Sequence, residues 1–279
     1  MRRVLLFGAT KSAIKWYEQI EKDGNYIVAF VDNDEKKIGG ELYGKQIIAP
    51  LDINSFEFDS IIIISTSALG SIRKQLLDMG IDNNRIDDSI VRHKVVTREQ
   101  FARDFATVVD EYEIVGCVAE AGVYQGEFAA ILNECYANRK LYLFDTFEGF
   151  NEKDVIVDNE EGFSTIEAGN LGNTSIDMVM KKMRYPDNVI VRKGYFPETA
   201  VDIEEQFVFV NIDFDLFLPT KNGLHYFWPR MSKGGIILVH DYFAQGYYGI
   251  KKAVDDFAKS NGIVVFPVGD SHSIAMQKW

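Results

Sequence analysis

The sequence predicts an α/β protein made of two successive units, each an open, mostly parallel sheet with a ligand crevice at its strand ends. Three observations carry this reading. Two apolar runs, Phe207–Ile212 and residues 235–239, end on polar residues, Asp213 and Asp215 after the first and His240-Asp241 after the second. Each run is short, β-branched and bounded by turn residues, the pattern of a strand buried on both faces. Upstream, residues 115–133 read as strand, glycine turn and helix, and the apolar strand 141–144 ends on Asp145, 23 residues after Gly122. The same pattern stands near the N-terminus, where Gly8 follows a strand and Asp32 ends the next, 24 residues on.

In the first unit, residues 3–7 read as a strand, 11–22 as a helix and 26–32 as a second strand. A glycine-containing hairpin over 37–48 follows. A strand at 59–65, a helix at 69–79 and a short strand within 83–88 complete the unit near Val91. Residues 97–109 read as a helix leading into the second unit. The expected domains are therefore 1–91, a helical linker at 92–110, and 111–279. Residues 151–173 are polar and acidic with no strong period, and read as a loop over the active site. Residues 221–228 read as helical.

In an open α/β sheet, side chains at the carboxyl ends of neighbouring strands meet in one crevice. Asp213 and Asp241 therefore aim at a common point. Two carboxylates with His240 adjacent suit a hard divalent cation such as Mg²⁺, which needs few protein ligands. Strand-end aspartates also serve as helix caps, and on this segment alone the two readings stand level. The upstream turn is E-x-G-x-x-x-G, from Glu120 through Gly122 to Gly126. With Asp145 at the ribose position, it suits a nucleoside ligand without a pyrophosphate, such as S-adenosylmethionine.

Six ordered segments, AEAGVYQGEFA, LYLFDTFEGF, NTSIDMV, KGYFPET, NIDFDLFLPT and VHDYF with GIKKAVDDF, resemble the macrocin O-methyltransferase family across roughly the C-terminal two thirds of the chain. The resemblance implies a class I methyltransferase fold, a doubly wound sheet with its last strand antiparallel. It also implies a metal-assisted transfer of methyl groups from S-adenosylmethionine to sugar hydroxyls. Carried over, Glu120, Gly122 and Gly126 belong to the cofactor turn, Asp145 holds the ribose, and Asp213 and Asp241 bind the metal. Family members usually carry an acid where His240 stands, so His240 enters as a ligand, a base or a bystander. Asp215 is a partner that orients Asp213 or a substrate contact.

The first unit resembles the small Rossmann-like domain that opens bacterial polysaccharide-biosynthesis proteins, through VLLFGATKSA, IVAFVDND and IGGELYGKQII. Its turn, Gly8-Ala-Thr-Lys-Ser-Ala13, has the first glycine of a dinucleotide pattern, but Thr10 and Ala13 fill the other two places. That argues against NAD and against an oxidoreductase. A nucleotide-sugar site at the helix N-terminus and a scaffold with an empty crevice stand level, because fold does not imply function.

Composition agrees. With 47% hydrophobic and 13% aromatic residues, a chain of 279 residues can build two cores. Thirty Lys+Arg against 42 Asp+Glu give a net charge of −12, which argues against nucleic acid and anionic membranes as partners. No bilayer-length apolar run and no signal peptide is visible, so the expected compartment is the cytoplasm. Cys117 and Cys135 read as thiols of a reducing compartment. His93 reads as exposed linker, His225 and His272 as structural. Tyr242, Phe243, Tyr247 and Tyr248 read either as a sugar-stacking wall or as ordinary packing. The expected protein is thus a Mg²⁺-assisted sugar O-methyltransferase acting in glycan or natural-product biosynthesis, with a small sugar or glycoside acceptor and a possible homo-oligomer. A catechol-like diol acceptor, or a sugar-nucleotide-binding protein without catalysis, are the alternatives.

Overall fold

The structure is a computed structural model that describes residues 1–10, 14–65 and 68–279. Lys11–Ala13 of the N-terminal turn, where a helix is expected to begin, lie outside the described residues. The chain divides into two compact units, Met1–Val95 and Val96–Trp279.

The first unit contains β1 (Arg2–Phe7), α1 (Ile14–Lys22), β2 (Asn25–Val31), β3 (Glu41–Leu42), β4 (Lys45–Ile48), β5 (Ser60–Ile63), α2 (Leu69–Asp78) and β6 (Ile86–Asp87). The strands pair in the order β3-β4-β2-β1-β5-β6, parallel except for the β3–β4 hairpin. Strand alternation splits the apolar residues between two faces. Leu5, Phe7, Val31 and Ile61 pack with Ile72 and Leu76 of α2, while Val4, Leu6, Ile27 and Phe30 pack with Ile20 of α1. Asp32 turns back on its own unit, accepting the Ala9 N–H at 2.8 Å and pairing with Lys37 at 3.1 Å.

Helix α3 (Ser89–Glu111) starts earlier than the expected residue 97, which places the exposed His93 in a helix rather than a linker. The cause is local. Asp88 pairs with Arg92 one turn on and with Arg73 of α2, so helical geometry is favoured from the first turn.

The second unit continues with β7 (Cys117–Ala121), α4 (Glu127–Cys135), β8 (Leu141–Asp145), α5 (Glu152–Glu160), α6 (Ile176–Met180), β9 (Val189–Lys193), β10 (Phe207–Ile212), α7 (Phe217–Phe227), β11 (Met231–Val239), α8 (Tyr248–Asn261), β12 (Phe266–Pro267) and β13 (Ile274–Gln277). Its sheet runs β12-β13-β11-β10-β7-β8-β9, and the last strand, β13, is antiparallel to both β11 and β12, as expected. One face packs Val118, Leu143 and Phe209 on α3 and α4; the other packs Phe144, Ile212 and Val239 on α7 and α8. Each such side chain fully buried contributes about 1.5–3 kcal/mol. Strand order reverses between β7 and β10, the position where open α/β sheets bind ligands.

The expected loop at 151–173 is corrected: its first part is helix α5. Asn151 caps it by accepting the Lys153 N–H, and Glu152 and Asp154 suit the first turn. The helix buries two acids, Asp154 and Asp158, beside Val155, so no apolar period is visible in its sequence. Cys117 is buried, Cys135 is half-buried, and both are free thiols.

Candidate active site

The glycine turn after β7 is set by close approach. Gly122 has φ +90°, and a Cβ there would lie 2.0 Å from the Asp213 carbonyl oxygen, so no side chain fits. Its N–H bonds to Phe144 O at 2.9 Å, and the Asp213 N–H bonds to Ala121 O at 2.8 Å, tying the turn to β8 and to the end of β10. Gly126, φ +81°, begins α4 and lies against Val179 of α6, away from the cleft described below.

Asp145 organises this turn. Its Oδ2 accepts the N–H groups of Val123 at 2.7 Å and Tyr124 at 2.9 Å, and its Oδ1 accepts Phe147 N–H at 2.7 Å. A carboxylate has about four acceptor positions, so one remains for a ligand hydroxyl. Glu120 lies inside β7, not beyond it. It is buried, and its Oε1 accepts from Asn211 of the adjacent β10 at 3.1 Å, while Oε2 has no partner. Burial pushes its pKa well above the carboxylate range, against the pull of Arg98.

A cleft opens over these strand ends, where open α/β sheets bind their ligands. Gly122, Tyr124 and Asp145 line one side, Asp154 and Tyr195 another, and Asp213 and Asp215 the floor. Helix α5 forms a wall: the Tyr195 hydroxyl donates to Asp154 at 2.7 Å, and Phe217 N–H, opening α7, donates to Asp158 at 2.9 Å.

At the cleft floor the register of β10 and β11 pairs Ile212 with Val239, which sets Asp213 beside His240. His240 Nδ1 lies 3.1 Å from Asp213 Oδ1 and 3.1 Å from Asp241 Oδ2. Arg98, on α3, holds the other Asp213 oxygen at 2.9 Å, with its guanidinium 4.3 Å from the Phe128 ring centre. Sequence reading missed Arg98, because it looks like any cation on an amphipathic helix. Asp215 and Asp241 both adopt left-handed backbone, φ +63° and +58°.

The electrostatics follow from crowding. Burial opposes charge on Asp213, but His240 and Arg98 outweigh it and hold the carboxyl well below its ordinary range. Burial also opposes the His240 imidazolium, but Asp213 and then Asp241 raise it to about 10. Burial and the charges of Asp241 and Asp213 push Asp215 well above the carboxylate range. His272, read as structural, lies with its ring centre 5.7 Å from that of His240. Tyr242 points into the core and bonds Asp255 at 2.6 Å, so it is no part of an acceptor wall, whereas Phe243 and Tyr248 are exposed.

The trio fits a cation. One donor atom from each of Asp213, His240 and Asp241 lies within 4.8 Å of the others. Adjacent ligands around an octahedral ion at about 2.1 Å stand roughly 3 Å apart, matching both 3.1 Å spacings. Moreover, His240 Nδ1 is buried and makes no well-directed hydrogen bond to either carboxylate at that range.

Residues 1–87 match the protein-family model described as C2185-like, N-terminal. Among solved structures, the chain is similar to the O-methyltransferase NovP, with TM-score 0.54, 18% identity, and 74% of this chain and 88% of that chain covered. It is also similar to CalS11, described as calicheamicin methyltransferase, with TM-score 0.53, 17% identity, and coverage of 81% and 96%. At these identities the likeness is one of fold. No curated protein matches. Residues 53–270 match the family model described as Macrocin-O-methyltransferase (TylF), a span that includes the glycine turn, Asp145 and every acid of the cleft floor. The chain therefore belongs to the macrocin O-methyltransferase family and is a methyltransferase.

Proposed function

We propose that this enzyme is a cytoplasmic, cation-assisted sugar O-methyltransferase that uses S-adenosylmethionine in glycan or natural-product biosynthesis. The observation that carries the reading is the double membership of Asp213: it lines the cleft with Gly122 and Asp145, and it stands in the trio with His240 and Asp241. A donor held at the glycine turn and an acceptor held at the trio thus share one floor. NovP and CalS11, methyltransferases by description, support the reaction class.

S-adenosylmethionine supplies the methyl group. A divalent cation held by Asp213, His240 and Asp241 would supply positive charge to lower the pKa of an acceptor hydroxyl. The chain does the rest. Asp145 and the turn N–H groups place the nucleoside, and Arg98 fixes Asp213 so that Oδ1 faces the trio. Asp215 lines the same cleft, where its carboxyl is placed to contact the acceptor. Alignment of acceptor and methyl is worth up to roughly 7–11 kcal/mol in ideal cases.

The test is methyl transfer from isotope-labelled S-adenosylmethionine to a panel of nucleotide sugars, glycosides and catechols, read by mass spectrometry. Label on a sugar hydroxyl supports the proposal. Label on catechols alone establishes the non-sugar diol reading instead.

A further inference from the structure

The sequence alone suggests Mg²⁺, on the strength of two carboxylates with His240 adjacent. The third donor changes the chemistry. His240 brings an imidazole nitrogen into the set, with its Nδ1 as close to Asp213 Oδ1 as to Asp241 Oδ2, at 3.1 Å each. That nitrogen is buried, makes no well-directed hydrogen bond, and has the two carboxylates as its close neighbours rather than a backbone group. Nor does the fold leave His240 free to swing away. Its backbone N–H bonds to Ile212 O at 3.0 Å, directly after β11, and its side chain is only 15% exposed.

Imidazole is a borderline donor. It binds Mn²⁺, Fe²⁺, Co²⁺ and Zn²⁺ well, in rising order of affinity along the first-row series, and binds Mg²⁺ poorly because that ion prefers oxygen and keeps its waters. We infer that the site formed by Asp213, His240 and Asp241 selects first-row transition ions over Mg²⁺, and that His240 is the residue that sets this selectivity. The inference rests on the reading that the trio holds a cation, and goes beyond it by naming the class of ion and the atom that discriminates.

Three further features fit. Two carboxylates and one imidazole leave room for water and an acceptor oxygen around an octahedral ion. Arg98 occupies Asp213 Oδ2, so that carboxylate offers one oxygen rather than two, which disfavours larger oxygen-loving ions such as Ca²⁺ that use bidentate carboxylates. Asp241 is held in left-handed backbone, which aims its carboxylate back at His240.

The experiment uses the full chain, stripped with a chelator, and measures binding rather than turnover. Calorimetric titration with Mg²⁺, Mn²⁺ and Co²⁺ gives the ratio of the Mg²⁺ to the Co²⁺ dissociation constant. In the wild type that ratio should exceed about 100, and in His240→Asp it should fall by more than about threefold as the donor set becomes all oxygen. S-adenosylhomocysteine affinity, which depends on the turn, serves as the folding control for the variant. Pulsed electron paramagnetic resonance of Mn²⁺-loaded wild type provides a second readout that needs no variant: modulation from a directly bound ring nitrogen is expected. A ratio that does not fall in a folded variant, or no nitrogen modulation in the wild type, overturns the inference while leaving a cation site in place. Failure of the wild type to bind any of the three ions overturns the cation reading as well.

Discussion

Replacing Asp158 by asparagine should stabilise the second unit at neutral pH and leave it unchanged in acid. Asp158 has no solvent exposure, its Oδ1 takes the Phe217 N–H, and its Oδ2 has no partner. Burial raises its pKa from 3.8 to about 6, against the Phe217 N–H, which favours the charged form. At about 1.4 kcal/mol per unit, the ionised carboxylate costs the folded chain ~3 kcal/mol. Because the folded value is raised, the group's favourable contribution is complete below the unfolded pKa and is lost as pH rises through about 6. Asparagine stays neutral, keeps an acceptor for Phe217, and has no such slope. The variant should therefore match wild type near pH 3.5 and exceed it by up to ~3 kcal/mol at pH 7.5, which in a unit of this size raises the melting temperature by roughly 6–12 °C. Urea denaturation across that pH range reads the difference, followed by Trp228, which packs on Phe257 in the same unit. A wild-type-minus-variant difference that stays flat with pH would refute the reasoning, since burial of a titrating carboxyl, with the Asp154 charge adding to it, is the source of the slope.

Gly122→Ala should destabilise the second unit by more than about 3 kcal/mol and abolish S-adenosylhomocysteine binding, because its Cβ would meet the Asp213 carbonyl at 2.0 Å on backbone with φ +90°; a thermal shift within a degree of wild type would contradict it. Asp145→Ala frees three backbone N–H groups, and calorimetry should show S-adenosylhomocysteine affinity reduced at least about tenfold. Arg98→Met leaves Asp213 buried with one cation fewer, at a cost of about 3–5 kcal/mol. Asp213 has a lowered pKa, so its contribution is present above about 3.8 and lost as pH falls; denaturation curves of this variant and wild type should converge toward low pH.

The strands at the site were legible because they are buried on both faces. β7, β8 and β10 are mostly apolar, and the acids at or near their ends announce the crevice. The antiparallel last strand came through the family resemblance, since parallel and antiparallel buried strands share one pattern. Helix α5 was not legible, because it turns Asp154 and Asp158 inward and so erases the contrast between faces. Asn211 was hidden for a related reason: it is a polar residue inside a central strand, joined across the sheet to Glu120 by one hydrogen bond. Arg98 and His272 reach the site from segments distant in sequence, 115 residues in the case of Arg98 and Asp213. Only a fold can state such proximity.

The left-handed backbone at Asp215 and Asp241 has an evolutionary consequence. Glycine adopts that conformation freely, while a residue with a Cβ gives up roughly 1 kcal/mol. At both positions the local preference of the chain therefore opposes the residue present. Selection for chemistry keeps the two acids where the backbone alone would choose otherwise. A descendant released from methyl transfer would gain stability by drifting to glycine at either place.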